Sequence, residues 1–380
     1  MRGNGRHGVK NSAATAHIRQ LCCLGLGGEA IMPALLRDLH DLVPCDSAGF
    51  FWVDDSHEMS NLYAEKMLPP DLMRLFFTRF YHSADQPFRG GFEARAKRGP
   101  PIAVAAFDTD FYRSEYYNLI WHHLDAHHVL YAMIREGDRV LGQLSLYRTA
   151  RDPPFGREDQ ERLAGVVRYI AHGLSPAPAH QGDWTTLAPD AAEANGLLIL
   201  DREGRLLQAS SQGRRLLFLA ACPRICGDAL AALRSDVPAP LADLCVNLGR
   251  VFAGEPAPPP ALHVRNAWGD FDFRAYWMDG APGASDATIG VTVCHHECAP
   301  IALLRAMKAL PLSSTQKAVI LMLARGDSQQ EIARQMNVSL NTTHYHVKQI
   351  YEKLDAHDPA DVMRHVFAGR GGREARPPRT

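Results

Sequence analysis

No stretch of this chain reaches the roughly 18 consecutive apolar residues that a membrane-crossing helix needs. The apolar run at residues 21–28, LCCLGLGG, is short and leads into a polar-faced helix. No small-residue cleavage site follows it, so it does not read as a secretory signal. An excess of either charge is also missing. The 41 Lys+Arg against 42 Asp+Glu leave a formal net charge of −1, which points globally to neither nucleic acid nor membrane. A nucleophile beside a base held by a third group is not legible anywhere, so no enzymatic turnover is expected. The eight cysteines are few for 380 residues and are expected to be free thiols in a reducing compartment. With 46% hydrophobic residues, two or three domains with real cores are expected.

The most informative stretch is residues 328–354. Ser328 followed three places on by Glu331 is a capping-box pattern that opens a short helix. Ile332, Ala333 and Met336 form its apolar stripe, Asn337 and Val338 make a turn, and Ser339 caps a second helix. At roughly 100° per residue, Thr343, Val347, Ile350 and Leu354 fall on one side of that second helix. Asn341, Tyr345, Lys348, Gln349 and Glu352 take the other, with Thr342 and His344 on the shoulders. Amide, phenol, imidazole and amine groups on one face suit base edges and phosphates. A helical hairpin with an ordinary solvated face is the alternative that spacing alone leaves open.

Residues 312–366 resemble a LuxR/GerE-type DNA-binding domain, a four-helix module. The resemblance rests on Leu312, Leu323-Ala324-x-Gly326, Ser328-x-x-Glu331-Ile332-Ala333, Val338-Ser339-x-x-Thr342, His346-Val347 and Ile350-Tyr351-x-Lys353-Leu354. It departs at Gln330 and His344, where the family commonly has Lys, and at Thr343, where it commonly has Val. Residues 310–366 carry six basic groups (Lys317, Arg325, Arg334, Lys348, Lys353, Arg364) and six acidic ones (Asp327, Glu331, Glu352, Asp355, Asp358, Asp361). That neutrality predicts weak non-specific binding and a shallow salt dependence. Arg370, Arg373, Arg376 and Arg379 against Glu374 make residues 369–380 a basic tail.

Upstream, residues 1–13 are polar and Gly-rich and read as lacking structure. Residues 15–175 read as a helix near 29–42, strands at 49–54 and 61–65, and a helix near 70–80. Strands at 129–134 and 140–147 follow, joined by the turn 136–139, and then a long helix opened by Pro154-Phe155. Asp54-Asp55 ends a strand, but hairpins rather than crossovers follow, which excludes a receiver domain. Two flanking helices around an antiparallel sheet resemble a GAF domain, and that resemblance implies a small ligand between sheet and loops. Tyr112, Tyr116, Tyr117 and Trp121 are the candidate pocket residues, with packing of a long loop over the sheet as the alternative. His122, His123, His127 and His128 have no acidic or thiol partner at ligand spacing, and no metal is expected there.

Residues 175–182 read as a linker. In residues 186–297, strand, turn, strand and helix from Ala194 to Ala220 resemble the opening of a PAS domain, and three more strands are expected near 261–264, 270–277 and 288–294. Cys222/Cys226 and Cys294/Cys298 are two C-x3-C pairs with the ligand types of a zinc or redox site. Their separation does not match a compact finger, so free thiols are expected. Ile301, Leu304, Met307 and Leu310 form a stripe over residues 298–311, either a connecting helix that pairs between chains or a core-facing one. Asp358-Pro359 opens the last helix, in which the resemblance implies a dimer contact at Val362, Met363 and Val366.

The expected fold is therefore α+β multidomain. GAF-like (15–175) and PAS-like (186–297) antiparallel-sheet domains precede a connecting helix (298–311), an all-α four-helix helix-turn-helix domain (312–368) and the tail. The expected function is a cytoplasmic, sequence-specific DNA-binding transcriptional regulator. It would be homodimeric, set by signals in its N-terminal domains, and open to RNA polymerase and a small ligand as partners, with no cofactor. Asn341, Tyr345, Lys348 and Gln349 are expected toward base edges, and Thr342, His344 and His346 toward phosphates. The other reading is a ligand- or metal-responsive sensor whose last domain mainly binds protein.

Overall fold

The computed structural model describes residues 4–81, 88–175, 193–232, 237–278 and 288–368. The expected linker, apart from Ser175, and the basic tail lie outside the described residues. No helix among them is long and apolar enough to cross a membrane.

The chain opens with α1 (Asn4–Cys22) and α2 (Gly28–Leu39), then β1 (Ser47–Val53) and β2 (Met59–Ala64). The sequence reading of residues 1–13 as structureless is thus corrected, since α1 begins at Asn4. Helix α3 (Pro70–Leu75) runs into a π-helical turn at Phe76–Phe80. After it come α4 (Phe88–Arg98), β3 (Ile102–Val104), α5 (Thr109–Arg113), a π-helical turn (Tyr117–Trp121) and α6 (His122–Leu124). The hairpin β4 (His128–Glu136) and β5 (Arg139–Arg148) and the long α7 (Arg157–Leu174) complete this part.

The five strands form one antiparallel sheet in the order β2-β1-β5-β4-β3. Helices α2 and α7 pack on the sheet, and α1 packs on both of them. Strand β1 is buried on both faces, which is why it reads as an unbroken apolar run. Gly142 lets β5 approach β1, because a Cβ there would lie 2.2 Å from the Phe51 carbonyl oxygen. Strand β3 and helices α4 and α5 had no sequence signal, since the segment they form follows neither a helical nor a strand period.

The second part begins with β6 (Ala194–Leu200), β7 (Leu206–Ala209) and α8 (Ser211–Ala221), with Ser210 accepting the Gly213 amide as cap. Helices α9 (Gly227–Ala232) and α10 (Ala239–Phe252) lead to β8 (Ala261–Asn266), β9 (Gly269–Met278) and β10 (Thr288–His296). The sheet order is β7-β6-β10-β9-β8, again antiparallel. Gly196 and Gly213 meet where β6 crosses α8, a Cβ on the first being 2.3 Å from the Cα of the second.

The remaining chain is helical: α11 (Ala299–Ala306), a 3-10 turn (Met307–Ala309), α12 (Ser314–Ala324), α13 (Gln329–Met336), α14 (Leu340–Leu354) and α15 (Pro359–Ala368). The stripe on α11 faces its own core. Ile301, Leu304 and Met307 are at most 2% exposed, so it is not a surface for pairing chains.

The parts are joined by partly buried charge. Arg37 on α2 reaches both Glu193, just before β6, and Glu297, just after β10. Arg305 on α11 reaches the same two carboxylates at 2.6 and 2.8 Å. One turn on, Lys308 lies 2.8 Å from Asp38 and 2.6 Å from Asp41, while His17 on α1 holds the other Asp38 oxygen at 3.0 Å. The Gln20 amide donates to the Ser314 carbonyl at 2.7 Å. Strand β2 and α8 meet through Arg215, which donates to the Tyr63 hydroxyl at 2.7 Å and to the Glu65 carbonyl.

Burial raises the Asp38 carboxyl, but hydrogen bonding and charge from His17 and Lys308 outweigh it and hold the group down at about 2. A folded pKa below the unfolded one stabilises above about pH 4, and the gain is lost as pH falls toward 2. Urea titrations should therefore show the advantage of the wild type over Asp38→Asn shrinking by about 1.5 kcal/mol between pH 5 and pH 2.5.

Candidate nucleic-acid interface

Three helix starts in the last unit are set by a hydroxyl, and that of α15 by the Asp358 carboxylate, which accepts the Asp361 amide at 2.7 Å. Ser313 Oγ accepts the Gln316 amide at 3.2 Å while Gln316 Oε1 accepts the Ser313 amide at 2.9 Å. Ser328 and Glu331 repeat the arrangement at the head of α13, at 3.3 and 2.7 Å. These reciprocal bonds satisfy donors that a helix start otherwise leaves open. The turn between α13 and α14 needs a left-handed residue, and Asn337 supplies it with φ 53° and ψ 47°. Ser339 then accepts the Thr342 amide at 3.1 Å and starts α14.

Helix α14 buries Thr343, Val347, Ile350 and Leu354, against α12, α13 and α15. Its opposite face is turned outward. Tyr345 is 60% exposed and the Lys348 side chain 76%. Asn341 and His344 are exposed, while Thr342, His346 and Gln349 are half-buried. Asn341, Tyr345, Lys348 and Gln349 thus lie on the outward side of one helix, with Thr342, His344 and His346 at its margins.

The charged side chains of Lys353, Arg325, Asp327, Glu352 and Lys348 have partners within this unit. Lys353 donates to the Pro311 carbonyl at 3.0 Å and to Gln316 Oε1 at 2.9 Å, tying the end of α14 to the start of the unit. Arg325 is held by Asp327 and by Gln335 Oε1, 2.6 Å away. Glu352 accepts from Gln349 at 2.6 Å and lies 3.8 Å from Lys348. The i,i+3 and i,i+4 spacing of these three was the available signal. A carboxylate therefore sits among the groups offered to a nucleic acid.

Helix α15 does not present the expected dimer residues. Val362 and Val366 are 0% and 1% exposed, because α15 packs this face onto α11, α12 and α14. Only Met363 of the three is half-exposed.

The expected ligand residues come together, though chiefly with each other. Tyr112 and Tyr117 lie 5.2 Å apart, Phe111 meets Tyr117 and Trp121 at 5.6 Å, and Tyr116 packs on Phe80 at 5.3 Å. Burial pushes the Tyr116 phenol well up. A cavity of about 90 Å³ lies next to this stack, lined by Gly49, Phe51, Leu62, Met73, Ser145 and Tyr147 among others and by none of the four. Tyr147 links the two, its ring 6.0 Å from Trp121.

His122 and His123 are exposed, and His127 and His128 half-buried. Among the described residues no three His, Cys, Asp or Glu are arranged to hold a metal ion. All eight cysteines are free.

Thr343 sits in the apolar face with its hydroxyl 3.5 Å from the Ser339 carbonyl, a long contact. Thr343→Val should raise stability by roughly 0.5–1 kcal/mol. A higher midpoint in urea at unchanged slope would show it, and a lower one would mean the hydroxyl is better satisfied than its distance implies.

No curated protein matches this chain. Among solved structures, that of the Vibrio cholerae VqmA dimer without target DNA is 18% identical, covering 47% of this chain and 84% of its own, with a TM-score of 0.16. The VqmA–ligand–DNA complex from the same organism is 15% identical over 51% and 90%, with a TM-score of 0.22. The Escherichia coli DhaR(N)–DhaL complex is 12% identical over 78% and 91%, with a TM-score of 0.23. Residues 310–366 match the GerE family, described as bacterial regulatory proteins, luxR family. The C-terminal unit, α12 to α15, is a LuxR-type helix-turn-helix domain, the DNA-binding part of a regulatory protein.

Proposed function

We propose that this chain is a cytoplasmic transcriptional regulator that places α14 in the major groove of duplex DNA and whose N-terminal domains set its activity. The observation that carries the reading is the two-sidedness of α14. Its apolar side is pinned to its own scaffold, while Tyr345 and Lys348 stand in solvent. A helix of this width fits a major groove. Asn341, Tyr345, Lys348 and Gln349 are assigned to base edges, and Thr342, His344 and His346 to phosphates.

The two sheet units are read as GAF-like and PAS-like sensors, with the cavity under β1 and β5 as the place for a small ligand. Homodimer formation and contact with RNA polymerase belong to the same proposal. With Val362 and Val366 enclosed, a dimer through α15 would use its outward side around Met363 or would need α15 to leave α11.

Mobility-shift titrations at two salt concentrations test the assignment. His346→Ala should weaken binding to all sequences alike, and a change at Gln349 should alter preference at one base pair. Lys348→Ala should cost about 1–3 kcal/mol on the preferred sequence and relax discrimination at one base pair. No affinity even at low salt would instead favour a sensor whose last domain binds protein.

Glu352 opposes phosphate at short range and draws on Lys348 and Gln349. Glu352→Gln should therefore tighten binding to non-specific duplex several-fold at low salt. Unchanged affinity would place Glu352 away from the backbone.

A further inference from the structure

The turn between α2 and β1 gathers three side chains that lie apart in sequence: His40, Cys45 and Glu65. His40 caps the C-terminal end of α2. Its Nδ1 lies 2.9 Å from the Cys45 carbonyl oxygen and 3.6 Å from the Cys45 sulfur. Its Nε2 lies 2.7 Å from Glu65 Oε2, which also accepts the Ala48 amide at 2.8 Å. A backbone carbonyl and a carboxylate only accept hydrogen bonds. Both ring nitrogens therefore carry hydrogen, and His40 is an imidazolium beside a sulfur. Hydrogen bonding to Cys45, and then to Glu65, pushes the His40 ring up to about 10.

Nucleophile, adjacent cationic imidazole and an orienting carboxylate are the parts that activate a thiol. The other cysteines do not share the setting. Burial pushes Cys22 up to about 12 and Cys222, Cys245 and Cys298 up to about 11. Cys23, Cys226 and Cys294 have no hydrogen-bonded imidazole among the described residues. Cys45 is half-buried between exposed Pro44 and Asp46. The Arg148 guanidinium donates to the Pro44 carbonyl at 2.9 Å, and the Asp46 carboxylate accepts the Thr149 amide at 2.9 Å.

We propose that Cys45 is a covalent modification site for small soft carbon electrophiles, its sulfur made nucleophilic by the His40 cation that Glu65 holds in place. With iodoacetamide, a sulfur electron pair forms the S–C bond, the C–I bond breaks, iodide leaves with its pair, and any thiol proton passes to solvent. The added bulk lands where α2 ends, one turn from Arg37 and Asp38, the residues that fasten this helix to the rest of the chain.

The full-length protein is treated with excess iodoacetamide at pH 7, and each thiol is followed by peptide mass spectrometry. Cys45 should be consumed at least tenfold faster than Cys23, although Cys23 is the more exposed. His40→Gln and Glu65→Gln should each slow Cys45 at least tenfold. In both variants the Cys23 rate should hold and Cys22 and Cys245 should stay protected, which reports the fold. Cys23 reacting first in the wild type overturns the proposal, and so does an unchanged Cys45 rate in a folded His40→Gln protein. If that variant unfolds, the wild-type ranking and Glu65→Gln decide.

Discussion

Two guanidinium groups against two carboxylates hold three parts of this chain in one arrangement. Glu193 and Glu297 flank the second sheet in sequence, yet they stand together because β6 and β10 are antiparallel neighbours. Arg37 comes from the first unit and Arg305 from the helix that leads to the last. The side chains are 7–37% exposed, so water screens the square poorly. Such a group adds little when complete, compared with apolar packing, but loss of one member leaves the half-buried opposite charges without a partner. Its value is positional: α2, both ends of the second sheet and α11 cannot shift independently while all four bonds stand.

That constraint bears on the last unit because α11 is continuous with it. The inner face of α11 is buried, α15 packs on it, and Gln20 of α1 reaches Ser314 at the head of α12. A change at the end of α2 thus has a short physical route to the helices that carry α14. His40 and Cys45 follow directly on α2, so the proposed modification site and this ionic junction are joined by one helix.

The last unit has a balanced charge, and placement decides what that balance means. Lys353 and Arg325 are committed to internal contacts, and Glu352 is on the exposed side of α14. On the outward face of α14 the groups beside Glu352 are one lysine, a phenol, amides and imidazoles. A surface of that kind favours selective hydrogen bonding over general attraction to phosphate.

How far the sequence carried the reading depended on how local each signal was. Serine caps, the turn at Asn337 and the 3.6-residue stripe of α14 are decided within a few residues. They were legible, as were the β4–β5 hairpin and the strands of both sheets other than β3. The segment of α4, β3 and α5 was not, because its residues answer to the sheet that β3 extends and not to a local period. Nor could spacing show that Val362 and Val366 face inward, that Tyr112 to Trp121 stack on each other rather than line the cavity, or that residues 4–13 extend a helix. Composition and period by themselves determined that this chain has apolar cores and a two-faced helix near its end. Only the tertiary structure decided which charges are paired, because Arg37 with Glu297 and His40 with Glu65 meet through sheet order and helix packing, which no local pattern encodes.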